Sequence, residues 1–305
     1  MRYIFVLFFL LPIISFSQIK NSEKIDSTNY YIDLVKFNQK KNNYRNCLIY
    51  SQKALDFANK SNNQKSIADS YSNLGIIYLE LKKIDDAIDV LVKSIAIYAT
   101  LPLSSQQALA HYSIGVCYLE KNNLAMAEKN FNTAGGIYEK IKIPSAIEML
   151  KLQKGIVYKE KGKIDLAMPL FENIIIKKDT SDTYKTKAEA LYQVGTIEFG
   201  KKRYNLAINY FNRALEINKN NLEQKANITL ALSECFEKSL NIEKSHYLLK
   251  QYLRLKDSLT YLNDKKIGNE DFASFKDSEK LKLIEQIDKD NKSQEKANTF
   301  AKLIS

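Results

Sequence analysis

The chain has 305 residues, with 46 Lys and Arg against 35 Asp and Glu and a formal net charge of +11. Nine Gly and four Pro are too few for an all-β chain, which needs a turn residue every few positions. Two His and three Cys leave no supply for a His-rich or Cys-rich metal site, so no metal or cofactor is expected, and the 45% apolar content excludes wholesale disorder. Length alone suggests about two globular domains.

Met1 and Arg2 precede a 12-residue apolar run, Tyr3 to Ile14, then Ser15-Phe16-Ser17-Gln18. One positive charge, a short apolar run and small residues before a cleavage point form a secretory signal peptide, residues 1–17, with cleavage predicted after Ser17. A membrane-spanning helix needs about 20 apolar residues, so the run is short for a permanent anchor. The expected location is the periplasm or cell envelope.

Residues 18–267 carry an internal period. Leu74-Gly75-x-x-Tyr78 returns as Ile114-Gly115-x-x-Tyr118, Lys154-Gly155-x-x-Tyr158 and Val194-Gly195, with the glycines 40 residues apart each time. Twelve residues after each glycine stands Ala87, Ala127, Ala167 or Ala207, and four residues later Leu91, Phe131, Phe171 or Phe211. Outward extension gives two degenerate copies, with Val35 and Cys235 in the glycine column and Cys47 and Tyr247 in the alanine column. Units are expected near 28–67, 68–107, 108–147, 148–187, 188–227 and 228–267. Within each unit, apolar residues recur at three- and four-residue spacings on either side of a polar turn such as Lys82-Lys83, which predicts two helices. A glycine inside a helix costs about 1 kcal/mol against alanine, so its recurrence points to a close helix contact, read as glycine facing alanine with the bulky residue four positions on filling the adjacent groove. One helix pair cannot bury its apolar stripe alone, so neighbours must stack.

These columns resemble the tetratricopeptide repeat, whose pattern of aromatic, Leu-Gly, Tyr, Ala, Phe and Ala is matched by Tyr71, Leu74, Gly75, Tyr78, Ala87 and Leu91. His111, Ile114, Gly115, Tyr118, Ala127, Phe131 and Ala134 approximate it in the next unit. The period of 40 exceeds the family's usual length of about 34, and two columns depart from the pattern, with Lys154 in the Leu column and Glu198 in the Tyr column. The resemblance implies an all-α, right-handed α-solenoid of about six helix hairpins. It also implies that first helices line a concave groove. There one column reads Ser72, Tyr112, Leu152, Tyr192, and the next Asn73, Ser113, Gln153, Gln193. Asn73, Tyr112, Gln153, Tyr192 and Gln193 are the candidate groove residues, since tyrosines and amides suit a peptide backbone. The same residues could instead pack between helices. Family members that grip acidic chaperone tails place Asn where this chain has Ile76, Val116, Ile156 and Thr196, so that clamp is not expected.

Residues 268–305 leave the period and are dense in charge, with helical spacing but no sustained heptad; a charged helical tail is expected. Signal peptide, long repeats and charged tail together resemble the periplasmic sensor part of Bacteroidetes-type two-component kinases and regulators. That likeness implies a membrane signalling partner reached through the tail.

The three cysteines read as small buried residues, and neither His111 nor His246 has a ligand at metal spacing. No phosphate loop, catalytic carboxylate pair or nucleophile elbow is present. The Lys-rich charge is scattered over turns and lacks the clustered Arg and aromatic interleaving of a nucleic-acid site. The expectation is a non-catalytic scaffold that binds protein or peptide. The competing readings are a cytoplasmic regulator with a misread N-terminus, or an enzyme.

Overall fold

A computed structural model of the chain describes residues 27–177, 184–218 and 221–264. The expected signal peptide and the charged tail both lie outside these residues. Among the described residues there are twelve helices and no strand. They pair as six hairpins: α1 (Ser27–Lys40) with α2 (Tyr44–Lys60), α3 (Gln64–Glu80) with α4 (Ile84–Tyr98), and α5 (Ser105–Glu120) with α6 (Leu124–Lys140). Then come α7 (Pro144–Glu160) with α8 (Ile164–Ile175), α9 (Tyr184–Gly200) with α10 (Tyr204–Ile217), and α11 (Leu222–Lys238) with α12 (Ile242–Asp264). Each hairpin begins ahead of the unit start read from the sequence, Gln64 against 68 and Ser105 against 108 for example, because the repeat motif begins inside its first helix. Every helix packs on its chain neighbours, so one elongated array takes the place of two globular domains.

The turn inside each hairpin is built the same way. Its middle residue takes positive φ: Asn42, Lys82, Asn122, Gly162, Lys202 and Leu240. The next N–H closes the helix end by donating to the carbonyl of the Tyr column, as in Lys83 to Tyr78 (2.9 Å), Asn123 to Tyr118 (2.8 Å) and Lys163 to Tyr158 (2.8 Å). Asn43 and Asn123 then cap the following helix through their side chains.

The glycine column packs differently from the expectation. A Cβ at Gly115 would lie 2.7 Å from Phe131 Cε1, at Gly155 2.6 Å from Phe171 Cε1, at Gly195 2.5 Å from Phe211 Cε1, and at Gly75 2.5 Å from Leu91 Cγ. The space is filled by the bulky residue of the second helix, not by the facing alanine. The alanines Ala87, Ala127, Ala167 and Ala207 are fully buried close by. In hairpin 1 the sizes are exchanged: Val35 stands in the glycine column, and Ser51 stands where Leu91 and the phenylalanines do, both buried. Total volume is kept, which is what a close-packed core tolerates.

The last hairpin corrects the expected register. Its helices end and start 38 residues after those of hairpin 5 (Lys238 after Gly200, Ile242 after Tyr204), because α10 and the connection after it together span two residues fewer than α8 and its connection. The glycine column therefore holds Ser233, not Cys235, and the alanine column Ser245, not Tyr247. Ser233 Oγ donates to the Ser245 carbonyl at 3.0 Å, so a hydrogen-bonded Ser–Ser contact sits at this crossing. Leu232-Ser233-x-x-Phe236 is the repeat motif in weakened form, and the Phe236 carbonyl accepts from Asn241 N–H at 2.9 Å as the Tyr column does elsewhere. Tyr247 is exposed on α12.

Both departures from the repeat pattern are accommodated locally. Buried Glu198 pairs with Arg203 (3.1 Å) and Lys201 (3.2 Å), both on its own turn. Lys154 lies over Gly135, its Nζ 3.9 Å from where a Cβ would be, at a position that reads Ile95 or Ile175 in neighbouring hairpins.

Candidate functional site

The odd-numbered helices approach each other along the array, α1 to α3, α3 to α5, and on to α11, whereas the even-numbered helices make no comparable approach. An array that closes up along one set of helices curves toward that set. The first helix of each hairpin thus lines the inner face.

The candidate groove residues sit on these inner helices, at the seams between hairpins. Half-buried Tyr112 on α5 sets its ring 5.7 Å from Phe131, and its hydroxyl accepts from Gln153 Nε2 of α7 at 3.3 Å. Burial pushes the Tyr112 hydroxyl up to about 12, partly opposed by the Gln153 hydrogen bond. Tyr192 on α9 repeats the ring contact with Phe211 at 5.7 Å. Its hydroxyl is also raised, first by burial, then by Glu189 and Glu234. Asn73 Nδ2 donates to the Asp69 carbonyl at 2.7 Å within α3.

Gln193 is buried. Its Oε1 accepts from Lys159 Nζ of α7 at 2.6 Å, and its Nε2 donates to Glu189 Oε1 at 2.6 Å. Glu189 Oε2 then accepts from Gln224 Nε2 of α11 at 2.8 Å. A polar relay thus ties three inner helices together. At the other end of the array Gln39 of α1 donates to Glu80 of α3 at 2.7 Å. Of the neighbouring column positions, Ser72, Ser113 and Leu152 are buried. The structure therefore brings Tyr112 together with Gln153, and Gln193 together with Lys159 of α7, while Asn73 stands apart on α3. Much of the hydrogen-bonding capacity of these residues is spent between hairpins.

A second set on the same helices was passed over as a recognition surface in the sequence. The residue after each glycine (Ile76, Val116, Ile156, Thr196) is half-buried, as is the residue four after it (Leu79, Leu119, Lys159, Phe199). All but Thr196 and Lys159 among them leave apolar side chains partly open on the inner face. The fixed offset from glycine marked the first column in the sequence, where the absence of Asn was read only as the absence of an acidic-tail clamp.

Elsewhere the titratable groups are structural. The thiols of Cys47, Cys117 and Cys235 are free and buried, and burial first of all pushes each up to about 12, so they are un-ionised and unreactive at neutral pH. His111 Nδ1 lies 3.2 Å from Asn130 Oδ1, and burial lowers its pKa while that hydrogen bond raises it. His246 is exposed on α12. Among the described residues no cluster of three or more His, Cys, Asp or Glu is placed to hold a metal, and no helix is long and apolar enough to cross a membrane.

The family model for soluble NSF attachment protein, SNAP, matches residues 35–197, just over half of the chain, and the model for the tetratricopeptide repeat matches residues 188–221. The chain belongs to the SNAP family of tetratricopeptide-like helical repeats. Among solved structures, this SNAP-family array is similar to the quorum sensor NprR in complex with its cognate peptide NprX. The TM-score is 0.66 at 17% identity, over 86% of this chain and 80% of that one. The apo form of NprR from B. thuringiensis gives a TM-score of 0.64 at 16% identity, covering 78% and 68%. The apo form of RapI gives 0.62 at 16% identity, covering 80% and 89%. At these identities the likeness shows a shared helical-repeat fold.

Proposed function

We propose that the chain is a non-catalytic scaffold that holds a peptide or protein segment along its inner face. The observation that carries this is the half-buried column Ile76, Val116, Ile156 and Thr196, apolar in its first three members, running along the seams that Tyr112 with Gln153 and Lys159 with Gln193 tie together. Apolar side chains offer area to a ligand's side chains, while the seam hydrogen bonds hold the inner helices in place around it. The similar fold of NprR, solved with a bound peptide, supports the reading.

Selection of displayed random peptides on the purified chain tests it. Enriched peptides should lose binding to a Val116→Asp, Ile156→Asp variant and keep it to a Lys129→Glu variant on the exposed side of α6. No enrichment, or peptides indifferent to the inner-face changes, would count against it.

The same reading places the scaffold in the cell envelope as the sensing part of a signalling system, supported by the leader-like residues 1–17 and the charged residues 268–305. Mass spectrometry of the protein made in a bacterial host should then find Gln18 at its N-terminus. An intact Met1 on soluble protein would remove the envelope assignment.

A further inference from the structure

We infer that the outer face of hairpin 1 is a docking surface for an acidic amphipathic helix of a partner protein. The argument starts from two columns. Tyr30 lies at the position held by Ser70, Ala110, Leu150 and Ala190 in hairpins 2 to 5, and Phe37 at that of Ile77, Cys117, Val157 and Ile197. All eight of those residues are buried, whereas Tyr30 and Phe37 are each 53% exposed. In hairpins 2 to 5 this face packs against the second helix of the preceding hairpin, α2 on α3 and α4 on α5, for instance. The terminal repeat of a solenoid needs a polar outer face for solubility. Hairpin 1 instead enlarges the apolar side chains at the positions where a helix sits everywhere else.

The surroundings fix the chemistry of the occupant. Tyr31 stacks on Phe57 (5.4 Å) and Tyr50 (6.1 Å) and meets Tyr30 edge-on at 5.3 Å. Lys41 lies 4.2 Å over the Phe37 ring, Lys53 5.6 Å over Tyr31, and Lys60 5.5 Å over Phe57. Hairpin 1 holds Lys36, Lys40, Lys41, Arg45, Lys53 and Lys60 against Asp33 and Asp56, a net +4. No other hairpin has so large an excess; the second has four cations against five carboxylates. A helix with an apolar stripe flanked by Asp and Glu matches rings and cations together. A second copy would bring the same +4 face against this one. Residues 18–26 just before α1 offer only Ile19 and Ile25 as apolar side chains, and their charges cancel.

Fluorescence anisotropy tests this with three synthetic peptides: an amphipathic Leu/Glu helix, a Ser/Glu analogue without the apolar stripe, and a Leu/Lys analogue. The Leu/Glu peptide should bind, and each analogue should bind at least about tenfold more weakly. Tyr30→Ser with Phe37→Ser should weaken the Leu/Glu peptide by about tenfold or more without moving the denaturant midpoint, and Lys53→Glu with Lys60→Glu should do the same. Neither pair should alter peptide binding at the inner face, so the two surfaces fail separately. Equal binding of the Leu/Glu and Ser/Glu peptides would reduce the effect to charge and overturn the inference. So would insensitivity to the ring variants. Three further results would overturn it by naming a different occupant. They are tighter, ring-dependent binding to phosphatidylglycerol vesicles, a concentration-dependent dimer abolished by the ring variants, and binding seen only after residues 1–17 are removed.

Discussion

Two glycines show how little the residue type says without its surroundings. Gly115 lacks a Cβ because Phe131 occupies that space, while a Cβ at Gly136 would meet nothing within 4 Å. Gly115→Ala gains about 1 kcal/mol of helix propensity but forces an overpacked contact that costs about 1–3 kcal/mol. It should therefore lower stability, whereas Gly136→Ala should raise it by about 1 kcal/mol. Urea midpoints of the two variants should move in opposite directions. His111 gives a pH test at the same scale. Burial lowers its folded pKa below the unfolded value of about 6.5, so the unfolded chain takes up its proton first as pH falls. Its contribution is complete above about pH 6.5 and is lost as pH drops toward the folded pKa. Between pH 7.5 and 5.5 the wild-type midpoint should fall further than that of His111→Phe, which keeps the ring and removes the proton site. Equal falls would show that His111 does not titrate differently in the folded chain.

At the scale of an element, the hairpin turn is the repeated device, and its middle residue is its weakest choice. Leu240 holds φ 62 while 85% exposed, the conformation that Gly162 takes without strain two turns earlier in the series. A left-handed non-glycine residue costs about 1–2 kcal/mol, so Leu240→Gly should stabilise the chain by about 1 kcal/mol, read as a higher midpoint with an unchanged slope. The hairpins themselves were legible in the sequence because the four glycines, alanines and bulky residues keep one spacing, and each is set by a contact within its own hairpin. The first degenerate copy was legible too, since Val35, Cys47 and Ala54 hold the register and are buried. The last copy was not. A segment of α10 plus its connection that is two residues shorter moves Ser233 into the glycine column, and an outward count by 40 cannot see the shortening. The glycine's partner was also misread, because spacing shows that two residues share a crossing but not which one fills it. The candidate groove was half legible. The offset placed Tyr112, Gln153, Tyr192 and Gln193 on the inner helices, but only side-chain geometry shows their polar atoms tied across the seams.

For the molecule as a whole, the inner helices close up and the outer ones do not, so the array has one concave face and two ends. The inner face combines half-open aliphatic side chains with seams of amide, tyrosine and lysine. The first end carries rings and cations where other hairpins carry covered core. The +11 of the chain is thus partly local, since hairpin 1 alone holds +4 of it. The claim on which the functional account stands is that a peptide lies along the odd-numbered helices. A selected peptide carrying a photoreactive benzoylphenylalanine, cross-linked to the chain and mapped by mass spectrometry, tests it most directly. The account predicts cross-links on α3, α5, α7 and α9 near Ile76, Val116, Ile156 and Thr196. Cross-links concentrated on α4, α6 and α8 would contradict it.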